Sequence, residues 1–172
     1  MNNLLIQPQS SDWAVHQSRQ VTPSLKLIVF KIGSLNLALR IESVYKVVDR
    51  TPVYSSGLNH VGVAHMGERE VTVVDLNWQF FKTSSISDSG GYLAIVQSTT
   101  GEFYGIPVAN TPALMEVPLS RFRVLPEAYR RADTLEVASH VAVIPQQETP
   151  LTVFLLDVEL LLPRFQELAA AK

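Results

Sequence analysis

From Leu25 onwards the chain is a succession of short apolar runs, each closed by glycine, proline or small polar residues. That is the pattern of β-strands joined by turns. Leu25–Ile32 and Leu37–Ile41 flank Gly33-Ser34 and read as a first hairpin. Val44–Val48 continues extended, and Pro52, Ser55, Ser56 and Gly57 mark a loop that leads into Val61–Ala64. Gly67-Glu68-Arg69 is a polar turn before the run Val71–Leu76.

Residues 82–91 are small, polar and glycine-rich and read as a linker, because they offer little to a core. The pattern then restarts: Tyr92–Val96, a turn at Thr100-Gly101, Phe103–Val108, and later Val141–Ile144 and Leu151–Leu156. Pro126 opens a predicted short helix over 127–132, and Pro163 a predicted amphipathic C-terminal helix, since proline suits the first helical position. The two halves echo each other. Ile32–Ile41 resembles Thr100–Val108, and Thr72–Leu76 resembles Val153–Val158, each ending in an apolar run and an aspartate. The expected architecture is therefore all-β, two small barrels side by side, with lobes over 25–81 and 92–157, and a C-terminal helix over 163–172. Residues 1–24, rich in Gln, Ser and Asn with an isolated Trp13, read as a flexible tail.

Composition narrows the function. The 172 residues carry 14 basic and 16 acidic side chains, scattered rather than gathered, so no footprint for a phosphate backbone exists and nucleic acid is not an expected partner. With no cysteine there are no disulfides or thiolate metal sites. The N-terminus lacks a basic region followed by a long apolar one, and apolar runs such as Leu151–Leu156 are far too short to span a bilayer; a cytoplasmic location without membrane insertion is expected.

Catalytic constellations are missing at credible spacing. His16, His60, His65 and His140 form no helical ligand pair, so neither a metal nor another cofactor is expected. Gly90-Gly91 is followed by no Lys-Ser or Lys-Thr, and Ser55-Ser56-Gly57 has no strand-to-helix setting. Asp75 and Asp157 end apolar strands; they fit helix or turn caps better than a catalytic carboxylate pair. The alternative of an enzyme or small-ligand binder would rest on His65, Asp75 and Asp157. No catalytic activity is expected.

The order of these motifs from Leu25 to about Leu162 resembles the CheW-like domain, the coupling protein of bacterial chemosensory arrays. The likeness rests on Val29–Gly33; on Ile41–Val47; on Val61-Gly62-Val63 with Val73–Leu76; and on Tyr104–Val108, Leu125-Pro126 and Leu155–Leu161. It implies two five-stranded SH3-like barrels on a shared core, and an adaptor linking chemoreceptor tips to the regulatory domain of a CheA-type histidine kinase, with other CheW-like domains as further partners. The implied protein-binding residues are Val44, Tyr45, Lys46 and Val47, with Val63, Ala64, His65 and Met66 at a groove between the lobes. Ordinary barrel packing would bury about half of any such alternating set. The chain departs from the family at His65-Met66-Gly67-Glu68, where Asn-Leu-Arg-Gly is usual, at Lys46, where an acid is common, and at Pro107 and Ala109. Those departures favour a specialised coupling protein serving pilus or phototaxis signalling, or the same module redeployed to motility or self-association without a kinase.

Overall fold

The computed structural model describes residues 22–58, 60–86, 88–130 and 135–170, and of 56, 58 and 166–170 the backbone alone. Twelve strands, three α-helices and two single-turn 3-10 helices, Ile41–Ser43 and Leu119–Arg121, follow one another among these residues. The strands are β1 (Ser24–Ile32), β2 (Leu35–Arg40), β3 (Val44–Asp49), β4 (Val53–Leu58), β5 (Val61–Met66), β6 (Arg69–Val74), β7 (Tyr92–Gln97), β8 (Phe103–Val108), β9 (Ala113–Pro118), β10 (Phe122–Val124), β11 (Ala138–Ile144) and β12 (Leu151–Leu156). The α-helices are α1 (Leu76–Phe81), α2 (Glu127–Arg130) and α3 (Val158–Ala170).

They form two six-stranded sheets, ordered β10-β11-β12-β2-β1-β9 and β3-β7-β8-β6-β5-β4. Each therefore carries one strand more than the five expected. The sheets also do not follow the two halves of the sequence. β1 and β2 join the late strands through a parallel β2–β12 pair, Leu37 opposite Phe154. β7 and β8 join the early ones through a parallel β6–β8 pair, Thr72 opposite Tyr104. This corrects the lobe boundaries 25–81 and 92–157: each lobe takes a hairpin from the other half. An alternating pattern fixes which face of a strand is buried but not which strand lies beside it.

Side-chain alternation explains the continuous apolar runs. In β1, Leu27 and Val29 point into the interior of the first sheet's barrel, while Phe30 and Ile32 point into a core shared by both lobes. In β7, Leu93 and Ile95 fill the second barrel and Ala94 and Val96 the shared core. β12 divides likewise, Val153 and Leu155 against Leu156. A strand buried on both faces has no position for a polar residue, so it reads as an unbroken apolar stretch.

The expected hairpins at Gly33-Ser34 and Gly67-Glu68 are present. Gly33 has φ +55°, and a Cβ there would lie 2.5 Å from the Phe81 ring, so the turn also seats α1. Other expectations need correction. The Pro52–Gly57 loop is the edge strand β4, with an irregular register between Ser55 and Leu58. The stretch 82–91 is no loose linker: Ser85 and Ile86 are buried, and Asp75 accepts hydrogen bonds from the Ser85 amide and hydroxyl. The C-terminal helix begins at Val158, not Pro163, because Asp157 caps it by accepting from the Glu159 amide at 2.9 Å. Pro163 lies inside it, where Leu161, Leu162 and Phe165 keep the helix docked. Most of the expected tail, residues 131–132 of the short helix and the end of the last helix lie outside the described residues.

Candidate functional site

Among the described residues, strand β3 is the outer strand of its sheet, paired on one side with β7 and open on the other. An open edge presents unpaired backbone donors and acceptors, which is how one protein adds a strand to another. A bulge between Val44 and Lys46 turns Tyr45 outward. Tyr45 is 55% exposed and Val47 36%, and Lys46 is exposed beside them.

Tyr45 is held by its neighbours rather than left swinging. Its ring meets Phe103 of β8 edge-on at 4.9 Å between centroids, Lys46 Nζ lies 5.8 Å from the Tyr45 ring and the Arg69 guanidinium 5.0 Å from the Phe103 ring. Arg69 is register partner to Met66 at the end of the β5–β6 hairpin. The rim thus connects the two predicted segments through two residues, Phe103 and Arg69, that sequence reasoning did not single out as contacts. An aromatic followed by Tyr104-Gly105 was their visible signal, and only the pairing of β8 with β6 and β7 reveals its meaning. Aromatic rings and guanidinium groups at such a rim are the side chains that contribute most to protein interfaces.

The remaining predicted residues divide by burial. Val44 is half-buried and packs on the shared core. Val63 is half-buried, Met66 packs against the second barrel's core, and His65 is exposed with the Tyr54 ring 6.0 Å away. Ala64 is 2% exposed inside that core, which removes it from any contact surface. Among the described residues β5 contributes to neither of two grooves between the sheets. Grooves between the sheets lie elsewhere: one of about 540 Å³ runs between β3 and β9, lined by Val47, Ile28, Tyr92 and Leu114, and one of about 700 Å³ lies near the start of α3, lined by Asp157, Glu159 and Phe122 among others. Of the eight predicted residues Val47 alone lines either.

The residues of the enzymatic alternative are kept apart by function. Asp75 is fully buried and its carboxylate accepts from the Asn77 and Trp78 amides at 3.0 and 3.3 Å, from the Ser84 hydroxyl at 3.2 Å and from both Ser85 donors. Every lone pair is used, so no substrate can reach it. Asp157 caps α3 and His65 stands on an exposed strand face. Among the described residues no group of three His, Asp or Glu side chains is placed to hold a metal ion, and no helix is long and apolar enough to cross a membrane.

In shape the chain is similar to the scaffolding protein TtCheW from Thermoanaerobacter tengcongensis, with a TM-score of 0.65, 14% identity, and a match covering 83% of this chain and 90% of that one. The chain has the fold of that scaffold. No protein-family model and no curated protein matches the sequence. At so low an identity the likeness reaches the arrangement of strands and goes no further, and the surface of this chain has to be read from its own residues.

Proposed function

We propose that this protein is a non-catalytic adaptor that couples chemoreceptors to a CheA-type histidine kinase, working in the cytoplasm at receptor arrays. The observation that carries this reading is the two-lobed fold shared with a scaffolding protein over most of both chains. The open β3 edge, with Tyr45 braced on Phe103 and Val47 beside a groove between the lobes, supplies a surface on which such a partner docks. One departure favours a second reading, redeployment of the module without a kinase: the β5–β6 hairpin carries His65-Met66-Gly67-Glu68 where the family has Asn-Leu-Arg-Gly.

A pull-down of the tagged protein from its native cytoplasm, followed by mass spectrometry, separates the two. Recovery of a CheA-like kinase together with a receptor supports coupling. Recovery of motility components alone supports redeployment. Substitutions at the rim locate the interface. Val44 is a poor probe because it packs on the core. Tyr45→Ala weakens binding of the kinase's regulatory domain about tenfold or more, the loss that truncating an aromatic interface residue brings, with little change in melting temperature. Full affinity in that variant places the contact elsewhere.

A further inference from the structure

Helix α3 reaches the shared core on both sides of its proline, through Leu161 and Leu162 before it and Phe165 after it. Val158, Leu161 and Leu162 are buried in the shared core before it. Pro163 has no N–H to give the Glu159 carbonyl, so the ladder is interrupted there and the next turn is the weaker one. After it, Phe165 is 2% exposed, and Arg164 forms a 2.8 Å ion pair with Glu136.

Phe165 closes over His60. The imidazole lies 6.4 Å from the Phe165 ring and 4.9 Å from Trp78 of α1, is 7% exposed, and among the described residues its buried Nε2 has no hydrogen-bond partner. A buried ring in that state is tolerable only while uncharged, because a proton would place an unpaired cation among aromatic side chains. Cation–π attraction to Trp78 offers limited relief, since Lys82 Nζ already sits 4.4 Å from that ring. Among the described residues the charged groups around the site are Lys82, which repels a second cation, Asp75, whose carboxylate is committed to α1 and Ser85, and Arg164 with its partner Glu136 on the α3 side.

We propose that the part of α3 beyond Pro163 is a pH-sensitive latch, closed over the neutral His60 ring and released when that ring takes up a proton. The direction follows from linkage. Burial first, and then Lys82, lower the pKa of His60 from its ordinary 6.5, with Asp75 opposing. In the released state the ring regains its ordinary affinity for protons. Closure is therefore fully favoured above pH 6.5 and is lost as the pH falls through the lowered value. Release would uncover Phe165 and Trp78, so an adaptor of this build would present different surfaces at neutral and acid pH.

Amide hydrogen exchange on the full chain, corrected for intrinsic rates, tests this at about pH 7.5 and about pH 5.5, a window bracketing the ordinary histidine range. The expected result is less protection of residues 164–170 at the lower pH, by up to about tenfold, the most that one proton taken up at an ordinary histidine allows over that window, with β7 and β8 unchanged and the effect abolished in His60→Phe. Protection that does not change with pH, that is lost equally from β7, or that changes identically in His60→Phe overturns the latch. Should His60→Phe fail to fold, a ring titration of the unmodified chain by NMR decides. A His60 midpoint below 6.5 that coincides with movement of the Phe165 signals supports the latch, and a midpoint at or above 6.5, or one independent of Phe165, overturns it.

Discussion

Asp75 shows how one side chain can set the geometry of three segments. Its backbone N–H donates to the His60 carbonyl at 2.9 Å, its carboxylate starts α1, and the same carboxylate draws in Ser84 and Ser85. Asp75→Ala should cost about 3 kcal/mol, the sum of a lost helix cap and buried donors left unsatisfied, as read from urea unfolding. Asp75→Asn keeps the shape and one acceptor oxygen and should lose less. The capping role was legible in the sequence, because an aspartate after an apolar run is a helix-start signal. What it caps was not. Leu76–Phe81 is short and aromatic-rich, with neither an alanine nor a charged helix former to announce it. The aromatic contact of Phe103 with Tyr45 was equally hidden, since it joins residues from strands far apart in the chain.

Among the elements, central strands were easiest to read and edges hardest. β1, β2, β7, β8 and β12 are buried on both faces and declare themselves as apolar runs. β4 is an edge strand whose Ser55, Ser56 and Gly57 resemble loop, and β9 and β10, at the borders of the first sheet, carry apolar residues but fully bury only Val117 among them. Pro163 misled for a different reason. Proline favours the first helical position, yet here the Asp157 cap and the burial of Val158, Leu161 and Leu162 start the helix earlier and carry it through. Pro163→Ala should restore the bond to the Glu159 carbonyl and stabilise the protein by about 1–2 kcal/mol, less than the full helix-interior penalty because proline also restrains the unfolded chain. Thermal unfolding would measure it. In hydrogen exchange the same variant should protect residues 164–170 more strongly at neutral pH.

For the whole molecule, the likeness of the two halves was legible as repeated motifs, and two barrels side by side followed from it, while the shared core was implied by the resemblance to the CheW-like domain. The exchange of hairpins between them was not, because periodicity contains no record of which strands are neighbours. It has a measurable consequence. A chain ended after Phe81 lacks β7 and β8, which stand between β3 and β6 in the second sheet, and lacks every partner of β1 and β2 except each other. Separate fragments on either side of residues 82–91 should each be unfolded by circular dichroism and should regain strand structure when mixed. Independent folding of either one would show that its hairpins can pair in another order.

The parallel pair of β2 with β12 also bears on how the protein is made. As the chain leaves the ribosome, β1 and β2 emerge early and form a hairpin whose open side must wait for β12, the last of the twelve strands to be synthesised. Until then Leu37 and Leu39 have no cover from Phe154 and Leu156, and a growing chain with such exposed apolar surface is vulnerable to association. The second sheet has all six of its strands once Val108 is made, whereas the first waits for Leu156, so the lobe whose hairpin emerges first is the last to be finished.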